Sequence, residues 1–120
     1  MAESLFNHHA GQQGLEMEAH SSGTDAVPGN EATDLAIEVL ADRGVDLSRH
    51  QAQQLTTRQI TESQIVIAMT RRHEAAIAKE DQQARSRTFL AGEMPRIGSQ
   101  IGSLGSRALE DWLLVLNEAR

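Results

Sequence analysis

The chain has 120 residues, 39% of them apolar and 23% charged, with no cysteine and a formal net charge of −6. Length and composition are those of one globular domain. The missing cysteine excludes disulfides, thiolate metal sites and cysteine nucleophiles within these residues, and 17 acidic against 11 basic residues argue against nucleic-acid binding.

Two Phe, one Trp and no Tyr leave few platforms for stacking bases. The longest apolar runs, Ile65–Met69 and Trp112–Leu116, are five residues each, against the roughly 20 a bilayer span needs. No basic start followed by an apolar stretch marks a signal peptide. No membrane association and a cytoplasmic setting are the expectations.

In chain order, Ala2, Leu5, Phe6, His9 and Ala10 fall at helical spacing, with Gly11 and Gly14 as stops. No capping residue precedes this stripe, so the helix reads as one entered from an upstream segment. Leu15–Ser21 alternates apolar and polar residues and predicts a strand with one buried face. Ser22–Asn30 is a loop. Ala32, Leu35, Ala36, Val39 and Leu40 make an apolar helical stripe, with Glu31, Asp34, Glu38 and Asp42 outside it and Gly44 as its stop. A short helical turn is expected over Thr57–Ser63.

Ile65–Met69 is rich in β-branched residues and predicts a strand buried on both faces. Thr70 caps a helix running to about Ala84, Arg87–Leu90 is a candidate strand, and Gly98–Ser106 reads as a glycine-serine connector. A last helix presents Leu109, Trp112, Leu113 and Leu116 on one face. Strands separated by helices predict an α/β fold with a parallel sheet.

No complete active site is visible from residue types and spacing. Adjacent His8 and His9 point about 100° apart on a helix and cannot chelate one ion; with His20 they form at most a candidate cluster, and polar residues near a helix end are the plainer reading. His73 and the Arg71-Arg72 pair read as solvated. Glu110 and Asp111 are adjacent and do not face each other. Ser21, Asp25 and His50 supply the residue types of a hydrolase triad without the nucleophile elbow. The glycine-serine stretch lacks the Gly-Lys-Ser/Thr ending of a nucleotide loop.

Several segments in order resemble the low-molecular-weight protein tyrosine phosphatase family. Met1–Phe6 resembles the opening of its first helix, and Ser21-Ser22-Gly23-Thr24 its Ser-Ala-Gly-Thr. Ala36–Ser48 resembles its second helix and Gly-Ile-Asp-Leu-Ser turn. His50–Thr56 resembles its His-x-Ala-Arg-Gln-Leu-Thr, with Gln53 where the family has Arg. Ile65–Thr70 and Arg87–Leu90 resemble its next two strands.

The resemblance implies an α/β three-layer sandwich with a parallel sheet of strand order 2-1-3-4. Residues 1–120 would form a single domain lacking its central first strand at the N-terminus, with the acid-bearing C-terminal loop cut short or lost. The family hydrolyses phosphotyrosine and related phosphomonoesters, in proteins or small molecules, through a cysteinyl-phosphate without metal or cofactor. Its nucleophile lies in Cys-x5-Arg-Ser/Thr-Pro, directly before the segment matched by Met1-Ala2-Glu3. Its general acid lies in an Asp-Pro pair, whereas Pro28 and Pro95 here follow Val27 and Met94. The resemblance therefore assigns no catalytic residue to this chain. It gives Ser21 and His50 the role of supporting the phosphate loop. The chain is expected to be inactive as written. A pseudoenzyme serving as a binding or regulatory module, or a fragment of an arsenate reductase of the same fold, are the alternatives. Nothing in the sequence indicates an oligomeric state.

Overall fold

The computed structural model describes residues 1–102 and 108–120, which group into two units, Met1–Leu55 and Thr56–Arg120. Among the described residues no helix is long and apolar enough to cross a membrane.

The first unit opens with α1, Ala2–Gln12, which has no side-chain cap at Met1. Glu3 in its first turn complements the positive end of the helix dipole. The helix runs through Gly11 and stops before Gly14, whose φ of +68° turns the chain. Helix α2, Asp34–Ala41, starts where Thr33 Oγ1 accepts from the Ala36 N–H at 3.2 Å. It ends through Gly44 at φ +76°, which lets the Val45 N–H reach the Leu40 carbonyl at 2.9 Å. A side chain at that φ would be strained. Leu40, Val45 and Leu47 are buried together, and Leu5, Ala32, Ala36 and Ile37 pack on them.

Two expectations fail in this unit. Leu15–Ser21 forms no strand, because a strand exists only against a neighbour. The Asn7 side chain takes the place of one at a single residue: Oδ1 accepts from the Ala19 N–H at 2.7 Å and Nδ2 donates to the Ala19 carbonyl at 3.0 Å. On α2, Leu35 is 70% exposed and Val39 40%. The short helix seats only the arc centred on Leu40, and Ile37 rather than Val39 completes the packed face.

Residues 51–55 are tied to the loop before α2 by two isolated bridges, Gly23 with Gln54 and Glu31 with Gln51. The Gly23 N–H donates to the Gln53 carbonyl and the Leu55 N–H to the Gly23 carbonyl, both at 2.9 Å. The Gln54 side chain accepts from the Ala26 N–H and donates to the Thr24 carbonyl.

The second unit begins with α3, Thr57–Glu62, under a capping box between Thr56 and Gln59. Strand β1, Val66–Ala68, leads to α4, Arg71–Glu80, capped by Thr70 as the sequence predicts. A 3-10 segment, Gln82–Arg87, then delivers β2, Thr88–Leu90. The helix therefore breaks at Asp81, short of Ala84, where the Asp81 side chain accepts from the Gln83 N–H at 3.0 Å and starts the tighter turn. The strands pair in parallel, Val66 with Thr88, Ile67 with Phe89 and Ala68 with Leu90.

Phe89 is fully buried, but its row neighbour Ile67 is half exposed and Met69 more so. The run Ile65–Met69 is thus not buried on both faces: β1 has β2 on one edge and no strand on the other among the described residues. Helix α5, Met94–Ile101, absorbs Gly98–Ile101 of the expected connector; residues 103–106 of that connector lie outside the described residues. Helix α6, Leu109–Ala119, closes the unit. Phe89, Ile97 and Leu116 form its core, with Trp112, Leu113, Ile65 and Met94 around them.

Arg87 staples this unit. Its guanidinium donates to the carbonyls of Ser63 and Ile60 at 3.0 Å and of Gln83 at 3.3 Å, and meets the Asp81 carboxylate at 3.5 Å. Arg120 does the same from α6, donating to the Thr88 and Arg85 carbonyls at 2.6 Å with its guanidinium 4.6 Å from the Phe89 ring centroid. Burial pushes the Arg120 pKa down, partly offset by the carboxylates of Glu74 and Glu93.

Three outcomes follow from this packing. Arg87→Ala should lower stability by about 2 kcal/mol, since carbonyls bonded to a charged group lose it, as read by urea unfolding followed through Trp112 fluorescence. Asn7→Ala should raise the exchange rate of the Ala19 amide roughly tenfold, with little change at Ile77. In the turn Asp46–Ser48, the Ser48 hydroxyl and N–H both donate to Asp46 Oδ1, at 2.6 and 2.9 Å, and hold its pKa below the usual carboxylate value. A depressed folded-state pKa gives stability that is present above the unfolded value and lost as pH falls through the folded one. Asp46→Asn should therefore flatten the acid side of the stability profile below about pH 4.

Candidate functional site

The first unit holds a polar cleft of about 250 Å³, lined by Glu3, His20, Ser21, Arg49, His50, Gln51 and Gln53. Three local structures build it. The first turn of α1 presents Glu3. The Asn7 clamp fixes the chain at Ala19, and His20 and Ser21 follow it directly. The Asp46–Ser48 turn redirects the chain, and the His50 N–H bonds the Leu47 carbonyl at 3.1 Å, so Arg49 and His50 come round to the same cleft.

The two residues that the family resemblance singles out, Ser21 and His50, thus lie on one surface although 29 positions separate them. The Ser21 hydroxyl donates to the Glu3 carboxylate and not to His50. Asp25, the third residue type of a hydrolase triad, is not on the cleft. Ser21 has a carboxylate beside it but no imidazole positioned as its base, so the arrangement does not reproduce nucleophile, base and orienting acid.

The other candidates stay apart. His8 and His9 meet edge to face with centroids 5.8 Å apart, on α1. His20 lies 3.9 Å from the exposed Glu18 carboxylate. Among the described residues no three His, Asp or Glu side chains converge as a metal would require. Arg71 is not simply solvated: it bridges Glu74 and Glu93 at 3.4 and 3.3 Å. Pro95 lies in the first turn of α5. A wider cleft in the second unit, about 500 Å³ and lined by Ala75, Ala78, Lys79, Gln82 and Arg85, holds no hydroxyl, imidazole or carboxylate.

Residue types alone did not point to Glu3 or Arg49 as part of this cleft. The signals were there: an acid in a first helical turn, and a cation directly before His50.

Thiolate phosphatase chemistry needs a low-pKa cysteine at a helix N-terminus and an acid for the leaving group. The cleft offers serine, imidazole, carboxylate and guanidinium groups but no thiol.

Comparison with known proteins gives a consistent answer. The model of the family described as low molecular weight phosphotyrosine protein phosphatase matches residues 1–95. A protein-arginine-phosphatase of Bacillus subtilis is 33% identical over 93 residues, 78% of this chain and 61% of its own length. Other curated relatives are matched over about half their length. Among solved structures, a low molecular weight protein tyrosine phosphatase from T. tengcongensis superposes with a TM-score of 0.71 at 26% identity, covering 98% of this chain and 81% of that one. The solution structure of a low molecular weight protein tyrosine phosphatase from Bacillus subtilis gives 0.71 at 26%, covering 98% and 79%. The α/β fold is theirs, and with the family model matched across 95 residues the chain belongs to the low molecular weight phosphotyrosine protein phosphatase family.

Proposed function

We propose that this chain does not itself cleave phosphomonoesters and that Ser21 and His50 form a seat for a phosphate-binding loop. The observation that carries the reading is the pairing of two facts. The chain contains no cysteine, yet Ser21 and His50 line one cleft beside the first turn of α1. A family member without a thiol cannot form the cysteinyl-phosphate on which the reaction depends. Side chains around the cleft can still hold a strained backbone by hydrogen bonds, the work that supporting residues do around a reactive loop.

On this reading residues 1–120 are part of one phosphatase-like domain, a view supported by their match to 61% of the arginine phosphatase's length. The substrate class of the whole protein is a phosphorylated protein side chain. The names of the relatives offer both phosphotyrosine and phosphoarginine. Acting alone, the chain serves as a binding or regulatory module.

The test is turnover of para-nitrophenyl phosphate and of a phosphorylated protein by the purified chain. No release of phosphate above buffer is expected between pH 5 and 8. Saturable turnover that disappears in Ser21→Ala would overturn the reading, since it would make the Ser21–Glu3 pair a nucleophile and its base.

A further inference from the structure

The outer surface of α2 carries a feature that neither the fold nor the cleft uses. Asp34, Glu38 and Asp42 follow one another at a spacing of four, and Leu35 and Val39 lie beside them, also four apart. At about 100° per residue these five positions occupy one continuous arc, opposite the Leu40 side that packs into the core. All five are exposed, Leu35 by 70% and Val39 by 40%. None of the three carboxylates makes an ion pair among the described residues.

The surroundings deepen the charge. Met1–Leu55 contains nine carboxylates, from Glu3 to Asp46, against two arginines, Arg43 and Arg49. The remainder of the chain has eight carboxylates and nine basic residues. The first 55 residues therefore carry a formal charge of −7 and the remainder +1, and the apolar pair on α2 is set within that acidic field. Solitary exposed apolar side chains need no explanation, but a pair on adjacent turns edged by a row of unpaired like charges does. Like charges at i,i+4 repel, so the row costs helix stability unless something cationic meets it.

The geometry points to a docking surface on α2 for a basic amphipathic segment of a partner protein. Its apolar side chains would cover Leu35 and Val39, and its Lys or Arg side chains would meet Asp34, Glu38 and Asp42. Two apolar anchors one turn apart match the spacing of an amphipathic helix laid along another. The acidic row selects a basic partner and disfavours an acidic one. A second copy of this chain is a poor fit, because it would bring the same acidic row against itself.

The test uses the full 120-residue chain, labelled with 15N, and a synthetic amphipathic helical peptide of Leu and Lys. Controls are a scrambled peptide of the same composition and a Leu/Glu peptide. Shift changes should centre on residues 34–42 for the Leu/Lys helix, be absent for the Leu/Glu helix, and weaken for the scrambled peptide. Raising salt from 50 to 300 mM should reduce affinity at least several-fold. Leu35→Ala with Val39→Ala, both at exposed positions, should weaken binding about tenfold; Asp34→Asn, Glu38→Gln and Asp42→Asn together should do the same and remove the salt dependence. Circular dichroism of each variant checks that α2 persists. Shifts centred elsewhere, no binding, or unchanged affinity in both folded variants would overturn the proposal. So would sedimentation showing a dimer of the chain that Leu35→Ala with Val39→Ala dissolves.

Discussion

Backbone N–H and C=O groups withdrawn from water need hydrogen-bond partners, and in this protein strands supply few of them. The described sheet is a three-residue parallel pair, β1 with β2. Side chains carry much of the remaining load. Arg87 bonds three carbonyls around the start of β2, Arg120 bonds two more, Asn7 serves both backbone groups of Ala19, and Gln54 ties Ala26 and Thr24. No buried side-chain nitrogen or oxygen among the described residues lacks a partner. Long polar side chains standing in for strand neighbours cost conformational entropy. They also concentrate stability at a few residues, so single substitutions at Arg87 or Asn7 reach further than an average surface change.

The same constraint organises the cleft. Ser21 is where it is because Asn7 anchors the chain two residues earlier, at Ala19, and His50 because the Asp46–Ser48 turn swings the chain back. Neither residue depends on a sheet ladder. Local hydrogen bonds are therefore enough to bring Ser21 and His50 to one cleft, in residues that contain no thiol. Family membership rests on the ordered segments from Met1 to Leu90, whereas a thiolate mechanism would rest on a cysteine, a residue type these 120 positions do not contain.

Much of this was legible in the sequence where local chemistry decides. The cap at Thr70, the turn through Gly44 and the helices beginning at Ala2, Arg71 and Leu109 all express short-range preferences, so residue order reveals them. Ordered segments from Met1 to Leu90 carried the family. The two strand failures have one cause. Leu15–Ser21 has the alternation of a strand, and Ile65–Met69 the composition of a doubly buried one, but both properties depend on a neighbour that periodicity cannot see. Leu35 and Val39 extend the apolar stripe of α2, yet an eight-residue helix seats a narrower face than its pattern offers.

By itself the sequence determined the absence of a thiol, the acidic first 55 residues, the family and the helix starts at Ala2, Arg71 and Leu109, because each is a matter of residue identity or of contacts within a few positions. Only the tertiary structure decided that Ser21 bonds Glu3, that Asn7 replaces a strand at Ala19, that Ile67 is left half exposed beside a buried Phe89, and that Leu35 and Val39 face outward beside an unpaired acidic row. These depend on which distant segments meet, and the free energy of such meetings comes from partners far away in the chain.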